Sequence, residues 1–246
     1  MTDSPLKQFN IVKLIPINIS GFDISFTNSS LWMVIVAATL CILGHVVTRK
    51  STLIPTRLQY AYEYVYNFIA EVLKSSLGRE GRTYFPYVFP LFLFVLASNL
   101  MGLLPYSFTI TSHIIVTFAL AMIVFIGATA VGIVKHGTGF FRTFYPKGTP
   151  LFVAPILIPI EIISFFARPI SLAVRLFANM VAGHVMIKIF AGFVGMLLKS
   201  PIAALSILPL IMNTALTGFE VMIALLQAYV FTILTCIYVN DALSSH

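Results

Sequence analysis

Arg175, Asn179 and His184 interrupt an apolar run from Pro169 to Leu198, and Asn213, Glu220 and Gln227 interrupt a second from Ile202 to Val239. A guanidinium has a pKa above about 12, so Arg175 stays charged wherever the fold puts it. Holding that charge at bilayer depth costs at least about 2.5 kcal/mol. It cannot release a proton, but it can repel a cation or favour the charged form of a carboxyl. His184 and Glu220 differ in kind, because an imidazole and a carboxyl exchange protons. Asn and Gln hold water or a neighbouring charge without titrating. A fixed cation beside exchangeable groups, all at membrane depth, is the chemistry of a proton path with an electrostatic barrier.

The spacing sorts these groups onto faces. At 100° per residue, Arg168, Ser171, Arg175, Asn179 and Ala182 fall within about 40° of one line, flanked by the small Ala173 and Ala178. His184 follows Arg175 by nine positions, which puts it ~13 Å along the axis and on the opposite face. Asn213, Glu220 and Gln227 recur every seven residues and share a face of the second run. Structural roles compete with functional ones. Arg175 could be glue, paired with Glu220 or Glu161. Glu161 and Arg168 could form a local ion pair or an anchor at the lipid interface. Asn99 reads equally as an interhelical hydrogen bond and as a channel residue. Lys188 and Lys199 lie close enough to a helix end to snorkel.

The elements that must carry these residues belong to a membrane protein. The chain is 59% hydrophobic and 9% charged, with a mean hydropathy of +0.99. A soluble chain would carry roughly a quarter charged residues. The net charge of +7 does not indicate nucleic acid, because the basic residues sit between apolar runs. Cys41 and Cys236 lie in apolar runs without CxxC spacing, so no disulfide framework, metal site or cofactor is expected. Residues 1–30 read as a polar outer-side tail and not as a signal peptide. The first span covers 31–48, an amphipathic surface helix 57–77, and further spans 85–105 and 113–134. Residues 49–82 hold six Lys/Arg and 135–147 three, whereas 106–112 hold none. The positive-inside rule then puts both basic segments inside and the bare link outside.

Beyond Pro150 the lengths outgrow upright spans. Residues 170–198 would make ~43 Å of helix and 202–239 ~57 Å, against a hydrocarbon core of ~30 Å. Either short spans with buried turns or two long tilted helices would fit. The absence of a polar interruption favours a hairpin over 150–198 and 202–239, with Pro150, Pro155 and Pro159 breaking its first segment. The expected fold class is an all-α polytopic membrane protein in one membrane domain, 1–246. It combines upright helices, one amphipathic surface helix and a long, strongly tilted, membrane-embedded hairpin.

The motifs carry a resemblance. Arg168-Pro169-Ile170-Ser171-Leu172-Ala173-Val174-Arg175-Leu176-Phe177-Ala178-Asn179-Met180, followed by Ala182-Gly183-His184, closely resembles subunit a of the rotary ATP synthase membrane sector. Gly218-Phe219-Glu220 and Leu226-Gln227-Ala228-Tyr229-Val230-Phe231 agree, as does Asn99-Leu100-Met101-Gly102-Leu103-Leu104-Pro105-Tyr106. The likeness covers about residues 80–245. It implies that Arg175 faces a rotor carboxylate, that Asn179 and Gln227 are its polar neighbours, and that His184 with Glu220 forms a proton-access pair. His on the first helix with Glu on the second is similar to mitochondrial members and their bacterial relatives. Gly102 departs from bacterial members with an acid there, which draws attention to His113 and Asn99. Ser171, Asn213 and Glu161 complete the candidates. The implied partners are a c-subunit ring, peripheral-stalk b-type subunits, other ATP synthase subunits, lipid and protons. The implied location is a bacterial plasma membrane or a mitochondrial inner membrane. ATP chemistry would lie elsewhere, since no P-loop is present. A secondary transporter would predict inverted repeats, and none is visible. A purely structural assembly subunit is the second rival, and an intramembrane hydrolase would need an HExxH or GxSxG motif that the chain lacks.

Overall fold

Lipid cannot satisfy backbone N–H and C=O groups, so an apolar chain of this kind resolves into helices. A computed structural model of the chain describes residues 10–16, 18–19, 22–23, 25–49, 52, 54–104, 107–137, 139–140 and 154–244. Six helices follow in order: α1 Asn28–Arg49, α2 Arg57–Leu77, α3 Gly81–Gly102, α4 Ile114–His136, α5 Ala154–Leu198 and α6 Ile207–Ser244. With α2 and α3 counted as one stretch, five helical stretches among the described residues are long and apolar enough to cross a membrane. The protein is an all-α polytopic membrane protein.

Local signals explain the boundaries. Thr56 caps α2 by accepting from the Gln59 N–H at 3.3 Å. Gly78 ends α2 at φ 59°, a region that L side chains resist, and a short 3₁₀ turn, Gly78–Glu80, leads into α3. The apolar stripe of α2 is only partly covered: Ile69, Val72 and Leu73 are buried, whereas Leu58 and Phe68 are exposed. Ahead of α1 the chain is not featureless. β1 (Lys13–Ile15) pairs antiparallel with β4 (Phe26–Thr27), and β2 (Asn18–Ile19) with β3 (Phe22–Asp23). Asn28 ties this segment to α1, accepting from the Val12 and Ser29 N–H groups and donating to the Asn10 carbonyl. Strands of two or three residues are too short for an alternating pattern to announce them.

The prolines do not break α5. Pro150 lies outside the described residues, but α5 runs unbroken from Ala154 through Pro155, Pro159 and Pro169. Pro155 sits in the first turn, where its missing N–H costs nothing. The later two each remove one bond that the rest of a 45-residue helix absorbs. At 1.5 Å per residue α5 is ~67 Å long and α6 ~57 Å, so neither stands upright wholly inside a ~30 Å core. At the turn between them the Lys199 and Ser200 N–H groups reach back to the Met196 and Leu197 carbonyls, and the Ser200 hydroxyl accepts from Ile202.

The chain divides into two compact units. The first comprises residues 1–43, 94–114 and 176–228, with Val95, Ile110, Leu176, Met180 and Ala224 buried. The second comprises 44–93, 115–175 and 229–246, with Ile69, Leu73, Val88, Val124, Leu172 and Phe231 buried. An aromatic cluster holds α2 to α3 in the second unit: Tyr66 lies 4.5 Å from Phe85, which stacks on Phe89 at 5.1 Å. Phe125 of α4 meets Phe165 of α5 at 4.8 Å.

Candidate functional site

In the first unit, α5 and α6 meet through polar side chains. Asn179 Nδ2 donates to Gln227 Oε1 at 3.0 Å, and His184 Nδ1 lies 3.6 Å from Glu220 Oε1. As the α5 number rises the α6 number falls, so these rungs make the hairpin antiparallel. Glu220 and Gln227 share the face that their seven-residue spacing predicts. Glu220 is 2% exposed and fits because residue 183 is glycine; a Cβ there would stand 2.6 Å from Glu220 Oε1. Close approach of two helices at a small residue lets the carboxyl sit between them.

One residue of the link between α3 and α4 reaches the imidazole of this pair. Thr109 Oγ1 lies 3.0 Å from His184 Nε2 and 3.3 Å from the Gly102 carbonyl. Gly102 has no room for a side chain, since a Cβ would meet Thr109 Cγ2 at 2.8 Å. Asn99 is fully buried and donates to the Ala224 carbonyl at 3.4 Å. His113 stacks on Phe108, with ring centroids 5.0 Å apart. Asn213 is half-buried, and its Oδ1 has no hydrogen-bond partner among the described residues. The same holds for Asn99 Oδ1, His113 Nε2, both Glu220 oxygens and Gln227 Nε2.

The second unit holds the other candidates. Arg175 is exposed, as is Ser171 before it; Ala178 and Ala182, which follow on α5 within the first unit, are exposed too. Among the described residues Arg175 makes no ion pair and no hydrogen bond. Glu161 is half-buried and likewise forms no ion pair with a described residue. Arg168 pairs with Asp241 Oδ2 at 3.0 Å and lies 5.6 Å from the centre of the Tyr238 ring. The single stripe drawn on α5 therefore separates: Arg168 and Asn179 turn to α6, while Ser171 and Arg175 do not.

The family model for the ATP synthase A chain matches residues 30–240. The chain belongs to the ATP synthase subunit a family. It is 53% identical over 241 residues to ATP synthase subunit a of Mesorhizobium japonicum, covering 97% of this chain and 96% of that one. The protein of that name from Chelativorans is 52% identical over 99% of this chain and 98% of its own. The one from Parvibaculum lavamentivorans is 49% identical over 97% and 93%. Membership of the subunit a family makes this a non-catalytic membrane subunit of the proton-translocating ATP synthase, of bacterial, alphaproteobacterial type.

Two residues at the polar rungs escaped the sequence reading. Thr109 lies 75 positions from His184, and no periodicity links a residue in a turn to a distant helix. Asp241 carried a signal, because two further steps of seven from Gln227 reach it.

Proposed function

We propose that the chain forms two offset half-channels serving carboxylates on a separate c-subunit ring, with Arg175 as the barrier between them. Protons arrive from the outer side through His184 and Glu220, with Asn179 and Gln227 as polar neighbours. They reach the ring and, after nearly a full rotation, leave towards the basic inner-side loops. Arg175 prevents a direct leak and favours the deprotonated rotor carboxylate as it passes. The single observation that carries this reading is an exposed guanidinium on an apolar helix, with no ion pair among the described residues, flanked by exposed Ser171, Ala178 and Ala182. A charge held in lipid at that cost is expected to have a partner, and small neighbours allow a second helix close approach.

The access side has support of its own. Thr109 belongs to the link without Lys or Arg, which the positive-inside rule puts outside, so the His184–Glu220 pair sits towards that face. The buried side-chain polar atoms without hydrogen bonds among the described residues all fall in the first unit. Buried polar atoms normally find protein or water, and their concentration there supports a hydrated route. The partners on this reading are the c ring, b-type peripheral-stalk subunits and the remaining ATP synthase subunits. Bacterial relatives favour the plasma membrane.

The test uses inverted membrane vesicles carrying the assembled complex. Arg175→Ala should cut ATP-driven proton pumping by more than about a hundredfold, equivalent to roughly 2.7 kcal/mol. Pumping at the parent rate with normal assembly would overturn the barrier role.

A further inference from the structure

The geometry points to Thr109 as the residue that sets the tautomer of His184 and so chooses which ring nitrogen exchanges a proton with Glu220; this rests on the relay proposed above. Thr109 Oγ1 has one hydrogen and, among the described residues, two polar neighbours, the Gly102 carbonyl at 3.3 Å and His184 Nε2 at 3.0 Å. Only the carbonyl is an obligate acceptor. It belongs to the last turn of α3, where carbonyls lack intrahelical partners, and no backbone N–H of the described residues reaches it. Ser107 Oγ also approaches it, at 3.1 Å, but lies closer to the Leu104 carbonyl at 2.7 Å. Thr109 therefore donates to Gly102 and accepts from His184 Nε2–H. The imidazole is held as the Nε2–H tautomer, with the Nδ1 lone pair directed at Glu220 Oε1, 3.6 Å away.

That arrangement stores one proton between two groups. Protonated Glu220 gives its Oε1 proton to Nδ1, leaving a carboxylate and an imidazolium; the reverse step restores a neutral ring and a carboxylic acid. Nε2–H stays on Thr109 throughout. At 3.6 Å the pair is just beyond hydrogen-bond length, and the broad terminal torsion of Glu220 can close it. A further charged group that acts on the ring is Lys188, one turn along α5, while His113 on the link stacks on Phe108. Gly102 is part of the device, because any side chain there would push Thr109 aside.

ATP-driven pumping is measured in inverted vesicles carrying the assembled complex, over a series of matched internal and external pH values. Thr109→Val keeps the shape and removes the hydroxyl. It should slow pumping about three- to tenfold, the worth of one hydrogen bond, while Thr109→Ser stays within about twofold of the parent. Losing an acceptor from Nε2–H disfavours the imidazolium, so the pumping optimum of Thr109→Val should move to lower pH. A move to higher pH would mean that the hydroxyl donates to Nε2, and an unmoved profile with equal losses in Val and Ser would mean packing alone; either overturns the assignment. Glu220→Gln in the same series separates the two levels. If it pumps at the parent rate, the relay itself falls; if it is inactive while Thr109→Val is unchanged, only the role of Thr109 falls.

Discussion

Glu220 occupies a space that one missing methyl group creates, and that makes Gly183 a sensitive neutral position in the first unit. With a Cβ only 2.6 Å from Oε1, alanine at 183 must displace the carboxylate or part the two helices. Overpacking of this kind costs about 1–3 kcal/mol. Gly183→Ala should lower proton pumping about tenfold while leaving subunit abundance in the membrane unchanged, read by immunoblot beside the pumping assay. Parent-level pumping would show that Glu220 has room elsewhere. Arg175 needs a different argument at this scale. Among the described residues Arg175 makes no ion pair, and conservative replacement by Lys keeps the sign but loses the planar fork. Arg175→Lys should therefore fall between the parent and Arg175→Ala in the same assay.

Element by element, the sequence was most informative where apolar runs are long. The five spanning stretches follow from length and composition alone, because lipid makes helix the only solution for such runs. The turn between α2 and α3 was less visible, yet its chemistry is simple. Gly78 holds φ 59°, so Gly78→Val should cost about 1–3 kcal/mol. It should lower the heat-inactivation midpoint of the solubilised complex, and an unchanged midpoint would show that the turn is not strained. What the sequence hid was contact between remote segments. The heptad spacing of Glu220 and Gln227 showed that they share a face, and continuing it would have found Asp241. Nothing local could reveal that Thr109 meets His184, since turn residues carry no period. The prolines misled for a physical reason: a single lost bond ends a short helix but not one of 45 residues.

For the whole molecule, orientation is the property that connects the chain to its membrane. Six Lys/Arg in 49–82 and three in 135–147 argue for an inner side, against none in 106–112. The two basic segments also meet through Lys135, bonded to Glu80 at 2.9 Å within the second unit. In a Cys41→Ala background, a cysteine at exposed Leu104 should react with a membrane-impermeant maleimide from the outer face. A cysteine at exposed Gly137 should react only from the inner face. The opposite labelling pattern would invert the proposed direction of the access path.

The bare link between α3 and α4 joins these scales. By the positive-inside rule, a segment without Lys or Arg favours an orientation with that end outward. The same segment delivers a hydroxyl, and no cation, to the imidazole of His184. A single basic substitution there would act twice: it would weaken the bias that orients the protein, and it would bring a repelling charge to a ring that becomes positive in the proposed relay. On the proposed relay, membrane insertion and proton capture place their demands on the same few residues.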